Sequence, residues 1–249
     1  MTVREAVHGR TLVVHMEREA KRNAIDRAMS EGISEALDRL EDDDHLWVGI
    51  ITGTDSVFSA GSDLTSGGEA KTERGGEYGL IRRQRRKPLI AAVEGPALGG
   101  GCEIALACDL VVASATARFA LPETRRGVIA TSGALFRAIR VLPLPIVKQL
   151  LITGFELSAE RAHHFGLVNA IAEPGNALVE ALAMAEDICR SSPVAVRETL
   201  VALAEQFEEA DEKGWAVTSR AIDAVMDSDD LKEGVQAFFE RRTPEWNGR

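Results

Sequence analysis

Two glutamates, Glu103 and Glu123, are the residues of this 249-residue chain best suited to proton chemistry. They lie too far apart in sequence to share one helix face, so only a chain that turns back on itself brings them together. Two carboxylates so paired can position a water between them and move a proton each way, as general acid–base catalysis requires. The stretch that carries them, residues 89–123, reads LIAAVEGPALGGGCEIALACDLVVASATARFALPE. An apolar run passes through Gly95 and Pro96 into Gly99, Gly100 and Gly101, then into helical apolar spacing at 104–108. The pattern predicts a strand, a glycine turn and a helix start. The first N–H groups of a helix have no intrahelical partner and the dipole favours negative charge there, so the junction can hold an anion or a developing oxyanion. The plain alternative is close strand–helix packing, with Glu103 merely complementing the dipole. Neither a Gly-x-Gly-x-x-Gly fingerprint nor a Gly-x-x-x-x-Gly-Lys phosphate loop is present.

The elements that must position these residues begin upstream. A second apolar run at 48–52 leads into small residues and a turn, Phe58-Ser59-Ala60-Gly61-Ser62-Asp63-Leu64. With FSAGSDL, GPALGGGCEIALACDLVVAS and FALPE in this order and spacing, the chain resembles the crotonase (enoyl-CoA hydratase/isomerase) superfamily over essentially its whole length. The resemblance implies an α/β fold, the crotonase (ClpP/crotonase-like) spiral of ββα units at 1–192, with a C-terminal helical oligomerisation region at 193–249. It implies that the main-chain N–H groups of Ser62 and Gly100 form an oxyanion hole for a coenzyme A thioester carbonyl. Many members carry Ala where Ser62 stands, a change that a main-chain donor tolerates. Glu103 and Glu123 match the two catalytic glutamates of hydratases. Coenzyme A contacts are carried onto Lys21, Arg22, Ala24, Ala60, Ser62, Asp63 and Leu64, the first two as phosphate contacts.

The reaction so implied is reversible addition of water to a trans-2-enoyl-CoA, giving a 3-hydroxyacyl-CoA, in fatty acid or related acyl-CoA catabolism. Coenzyme A enters as part of the substrate, and no cofactor or metal is implied. One departure stands out: positions 130–133 read Ala-Thr-Ser-Gly instead of the family's glycine-rich turn, which can offer an N–H to the catalytic water. β-Branched Thr131 restricts φ there, and Thr131 or Ser132 is a candidate cap for a helix with apolar Leu135, Ile139 and Leu142.

Elsewhere the pattern is structural. Residues 11–17 alternate as a strand, and Asp26 is placed to cap a helix whose buried stripe is Met29, Ile33, Ala36, Leu37 and Leu40. Four acids at 41–44 would oppose the dipole at that helix end, so they read as solvated loop. Asp63 reads as a turn carboxylate that bonds nearby N–H groups. The glycine-dense segment 65–79 reads as mobile, with few apolar anchors, and matches a family region that helps form the acyl pocket. Residues 82–87, RRQRRK, are the densest basic run and read as a solvated helix face. Gly154 and Gly166 end two helices, and Ser192-Pro193 starts the C-terminal helical section. Its apolar residues, including Leu203, Phe207, Phe238 and Phe239, call for a partner, and the resemblance implies a homotrimer or a dimer of trimers.

A net charge of −10 argues against a general nucleic-acid surface, and no apolar run reaches membrane-spanning length. The start lacks a signal-peptide pattern, and three cysteines without a paired framework suit a reducing compartment, so a cytoplasmic protein is expected. Three rival readings remain from sequence. One is another acyl-CoA enzyme of the same superfamily: a carnitinyl-CoA-type dehydratase, an isomerase or a thioester hydrolase. A second is a serine peptidase on the related spiral, for which Ser62 and Ser132 have no nucleophile elbow. The third is an RNA-binding protein acting through the basic run.

Overall fold

In the computed structural model, which describes residues 2–65 and 71–249, the chain opens on an antiparallel pair, β1 (Val3–His8) and β2 (Thr11–Met16). Asp26 then caps α1 (Arg27–Asp42): its carboxylate accepts the Met29 N–H at 2.9 Å, and the predicted stripe from Met29 to Leu40 is buried. β3 (Val48–Thr52) follows, then a short hairpin of β4 (Lys71–Thr72) and β5 (Gly76–Glu77). β6 (Leu89–Val93), β7 (Pro96–Leu98) and α2 (Gly100–Ala107) form one strand–strand–helix unit, and β8 (Leu110–Ser114) and β9 (Arg118–Ala120) begin the next. The chain continues through α3 (Ala134–Val141), α4 (Leu144–Thr153), β10 (Leu157–Ser158), α5 (Ala159–Phe165), β11 (Ala170–Ala172) and α6 (Ala177–Cys189). Three helices close it: α7 (Pro193–Glu205), α8 (Glu208–Met226) and α9 (Asp229–Glu240).

The first strand of each unit joins a six-stranded sheet of order β1-β2-β3-β6-β8-β11, parallel after the opening pair, while β7, β9 and β10 build a second sheet. Parallel strands need cover on both faces, which is why they read as unbroken apolar runs. Val13, Ile50, Ile90, Ala92 and Val112 pack against Ala177, Ala181 and Ala185 of α6, whereas Leu12, Val14, Ile51, Ala91 and Val93 join the α1 stripe in the larger core. Gly154 and Gly166 end α4 and α5 in the left-handed conformation, as their positions predict. Among the described residues no helix is long and apolar enough to cross a membrane.

Two charged segments differ from the sequence reading. Helix α1 runs on through Glu41 to Asp42, and Glu41 is buried: its Oε1 accepts the N–H groups of Arg86 and Lys87, both at 3.1 Å. The basic run is correspondingly not a solvated helix face. It forms no helix, and Arg83 and Lys87 are buried. Arg83 bonds Asp38 at 2.6 Å and Ser34, Arg85 bonds Asp109, and the Lys87 ammonium donates to the carbonyls of Leu40 at 2.7 Å and Asp43 at 2.8 Å. The two runs of opposite sign satisfy each other, offsetting the dipole penalty at the end of α1. Arg83, Arg85 and Lys87 are thus partnered inside the fold, and Arg82 and Arg86, more exposed, bond Glu77 and Glu41.

Candidate active site

The glutamates meet because β7 and β9 pair in parallel with Leu98 opposite Ala120, so both strands end in step. The Gly99 N–H donates to the Ala120 carbonyl at 2.8 Å, and the chain beyond β9 passes through Pro122 into a 3-10 turn, Glu123–Arg126. This places the Glu123 carboxylate against Gly99, its Oε1 3.1 Å from where a Cβ there would stand. On the other side α2 starts at Gly100 and presents Glu103 in its first turn. The loop after β3 docks on the same strand end: Leu98 N–H donates to the Ser59 carbonyl at 2.9 Å, and Ser59 N–H to Pro96 at 3.2 Å. Gly61, at φ 88°, lies so close that a Cβ on it would stand 2.9 Å from the Gly100 nitrogen. Only glycine permits that approach and that φ. Ser62 and Gly100 are thereby neighbours, and neither N–H donates to another described residue. Two unspent main-chain donors beside two carboxyls are what an oxyanion and its proton exchange need.

Both carboxyls are held in environments that favour the protonated form. Burial, then the nearby charge of Glu123, pushes Glu103 up to about 8, against the opposing effect of hydrogen bonds from Ala134 and Ser132. Burial pushes Glu123 up to about 7. Glu123 Oε2 is buried without any hydrogen-bond partner, whereas Glu103 Oε1 accepts the Ser132 N–H at 2.7 Å and the Ala134 N–H at 3.1 Å. A pair in this state carries a proton near neutral pH and can both give and take one.

The divergent turn at 130–133 thus acts on Glu103. Neither Thr131 nor Ser132 caps α3; its N-cap is Gly133, at φ 103°, with no side-chain bond, and the Glu103 carboxylate occupies the helix N-terminus instead. The positive φ falls on Gly133 rather than Thr131, so the β-branch meets no strain. Of the apolar positions anticipated for α3, Leu142 is buried and Leu135 half-buried, whereas Ile139 is exposed and Phe136 and Ala138 are buried instead. Phe136 packs edge-on to Trp215 of α8, with ring centres 4.9 Å apart, bringing the C-terminal helices against the site.

The residues matched to coenzyme A contacts form one surface strip. Ala60 N–H donates to the Arg22 carbonyl at 3.0 Å, Ile25 N–H to Gly61 at 2.8 Å and Asp63 N–H to Ile25 at 2.9 Å, so Lys21, Arg22 and Ala24 run beside Ala60, Ser62, Asp63 and Leu64. Lys21, Arg22 and Leu64 are exposed. The Asp63 carboxylate bonds the Thr65 N–H and hydroxyl and Arg18, the Thr65 hydroxyl bond first among the influences that draw its pKa down to about 2. It braces the loop, as a turn aspartate does.

Two residues of the site escaped the sequence reading. Asn23, fully buried, donates from its amide to the carbonyls of Val57 at 2.9 Å and Phe58 at 3.2 Å, and accepts the Arg18 N–H at 2.8 Å. Its residue type was the only signal in the sequence, since asparagine is among the residues with a Cβ that best tolerate the φ of 51° found here. Tyr78, the chain's single tyrosine, lies in the segment read as lacking apolar anchors. It is buried, at φ 55°, and its hydroxyl bonds Ser62 Oγ at 2.8 Å. A Cβ on Gly100 would collide with that hydroxyl. The part of the same segment at 66–70 lies outside the described residues. A cavity of about 390 Å³ opens beside Ser62, Tyr78 and Ser132 and reaches Trp215 and Thr218 of α8.

Comparison with known proteins agrees with this geometry. The enoyl-CoA hydratase/isomerase family model matches residues 8–249. The chain is 38% identical over 245 residues to a mevalonyl-coenzyme A hydratase of Aspergillus fumigatus, covering 94% of this chain and 90% of that one. It is 34% identical over 251 residues to an enoyl-CoA hydratase of Mycobacterium tuberculosis, covering 97% and 94%. Its fold is similar to the crystal structure of a carnitinyl-CoA hydratase from Mycobacterium avium, with a TM-score of 0.92, 35% identity, and coverage of 100% and 99%.

Proposed function

Because the chain belongs to the enoyl-CoA hydratase/isomerase family, we propose that it adds water reversibly across the double bond of a trans-2-enoyl-CoA to give a 3-hydroxyacyl-CoA. The observation that carries this reading is the pairing of buried Glu103 with half-buried Glu123, whose Oε2 is itself buried, beside the unspent N–H groups of Ser62 and Gly100. The thioester carbonyl accepts the two N–H bonds, which strengthen as enolate charge develops; one such donor is worth about 3 kcal/mol in the transition state. One carboxylate holds the water and takes its proton as oxygen bonds to Cβ, and the protonated partner delivers a proton to Cα. The pair ends with the same number of protons but with the proton on the other carboxyl, so a proton passes back between them, directly or through the next water, before the next turnover; addition of water calls on no redox group or metal. The coenzyme A moiety runs along the strip formed by residues 21–24 and 60–64, with Lys21 and Arg22 toward its phosphates. A homo-oligomer is part of the proposal, supported by Leu203, Phe207, Phe238 and Phe239, which remain exposed on α7, α9 and the turn between α7 and α8.

The test is loss of the conjugated enoyl absorbance of crotonyl-CoA with a gain of one water in product mass. Glu103→Gln and Glu123→Gln are each expected to lose about 10²- to 10⁴-fold in kcat while still binding the thioester. Wild-type protein that binds crotonyl-CoA without adding water, or variants that keep full activity, would sink the reading.

A further inference from the structure

The cavity beside the glutamates is lined by hydroxyl groups where an alkyl chain would want hydrocarbon. Ser62, Tyr78, Thr131, Ser132, Thr218 and Ser219 all border it, and among its described lining residues only Ile25 and Ile222 are wholly apolar. Tyr78 is the most constrained of the hydroxyl bearers. It sits at φ 55°, a conformation that a residue with a bulky side chain adopts only when its surroundings hold it there, and such outliers concentrate at ligand sites. Its backbone is kept in that state by a tight turn over α1, in which the N–H groups of Leu80 and Ile81 both donate to the Glu77 carbonyl. The phenol is thereby driven inward until it touches Ser62 Oγ at 2.8 Å and blocks the space a side chain at Gly100 would take.

The chemistry of this group is that of a neutral donor and acceptor. Burial, then the charge of Glu103, raises the phenol far from ionisation, so it keeps its proton throughout the physiological range. In the Tyr78–Ser62 bond either oxygen can be the donor, and Ser132 bonds the same phenol, so the three hydroxyls form a cluster on the cavity wall that a ligand hydroxyl can join as donor or acceptor. Thr218 donates its own proton to the Gly214 carbonyl at 2.9 Å and offers lone pairs to the cavity side. The charges on the wall are already engaged: Arg82 and Lys71 share Glu77, Arg82 bonding it at 2.9 Å and stacking on the Trp215 ring at 3.7 Å while Lys71 lies 3.8 Å from it, and Asp63 is held by Arg18. A charged acyl tail would have to break into these pairs. A hydroxyl would not, and it satisfies groups that an alkyl chain would leave desolvated and unpaired.

We propose that the acyl pocket selects a short 2-enoyl chain bearing a hydroxyl group beyond the double bond, and that Tyr78 is the residue that reads it. This rests on the hydration reading above for the reaction, though not for the binding. The test compares kcat/KM for 5-hydroxypent-2-enoyl-CoA with that for hex-2-enoyl-CoA, in which a methyl replaces the hydroxyl, in wild type and Tyr78→Phe, with crotonyl-CoA as reference. The wild type is expected to favour the hydroxylated thioester about tenfold, and Tyr78→Phe to bring that ratio down about fivefold, the scale of one neutral hydrogen bond. A wild-type ratio at or below one overturns the proposal, as does a ratio that the variant leaves in place; hydration of crotonyl-CoA then still stands. If none of the three is hydrated, the hydration reading has failed instead, and calorimetric binding of 5-hydroxypentanoyl-CoA and hexanoyl-CoA decides the pocket. About tenfold tighter binding of the hydroxylated thioester upholds the proposal, and equal or weaker binding overturns it.

Discussion

The Ser132 main-chain N–H donates to Glu103 Oε1 at 2.7 Å, so the divergent turn at 130–133 is the one that grips the Glu103 carboxylate. A second N–H, from Ala134, reaches the same oxygen at 3.1 Å. The N–H groups of this turn are therefore spent on Glu103, whereas Glu123 Oε2 receives none. Because these bonds go to the ionised oxygen, they oppose the rise in the Glu103 pKa that burial and Glu123 cause.

Those pKa values make stability depend on pH in a defined direction. Free glutamate titrates at 4.5, and Glu103 and Glu123 in the fold titrate at about 8 and about 7. Between these limits the folded protein binds more protons than the unfolded chain, so the contribution is fully present below pH 4.5 and is lost as pH rises through 7 and 8. Glu123→Gln, which is neutral at every pH, is expected to melt about 3 °C above wild type at pH 9 and level with it at pH 5. Differential scanning fluorimetry across that range checks the sign; an equal difference at both pH values would reject the shift.

Asn23 ties the coenzyme A strip to the oxyanion loop, and its removal should be felt in both. Asn23→Ala leaves the Phe58 carbonyl and the Arg18 N–H without partners, takes one bond from the Val57 carbonyl, which keeps the Thr54 N–H, and puts alanine at φ 51°. A loss of about 2–4 kcal/mol is expected in urea unfolding, since each buried group left unpaired costs about 1–3 kcal/mol. Kinetically the variant should raise KM for the thioester more than it lowers kcat, because the loosened segments bind the moiety common to ground and transition states.

The basic run predicts a folding defect rather than a ligand defect. Arg83→Met removes the bonds to Asp38 and Ser34 from a side chain that is 1% exposed, and is expected to cost about 2 kcal/mol of stability. Filter binding with RNA at low salt should show no salt-sensitive complex for the wild type; a complex abolished by this substitution would revive the nucleic-acid reading.

Exposed apolar residues on the last helices set the expected assembly. Phe238 and Phe239 of α9 stand edge to face with ring centres 5.6 Å apart, and both are open to solvent in the single chain. Light scattering is expected to give a mass of three or six chains, and Phe239→Asp to shift it toward one. A wild-type mass of one chain would leave these residues without a partner and reject the oligomer.

The parts of the fold legible in the sequence are those governed by local spacing. The α1 stripe, the Asp26 cap, the strand–glycine–helix junction at Gly99 and the helix stops at Gly154 and Gly166 each depend on residues within a turn or two of one another. The misread segments share another feature, that their partners lie far away in sequence. Glu41 and Lys87 look like solvent-facing charges until β6 enters the sheet beside β3 and buries each against the other.

The sequence singled out Glu103, Glu123, Ser62 and Gly100 through the family resemblance that its motifs carry, because those motifs are written along the chain. Only the tertiary structure decided how they meet: the in-step ends of β7 and β9 carry Glu123 to Gly99, and burial there, a property of the folded chain alone, raises both carboxyls toward neutral pH. Tyr78 belongs wholly to that second category. A lone tyrosine in a glycine-rich segment carries no local signature, and its place over Gly100 exists only once the turn after β5 packs on α1 and its backbone is held at positive φ.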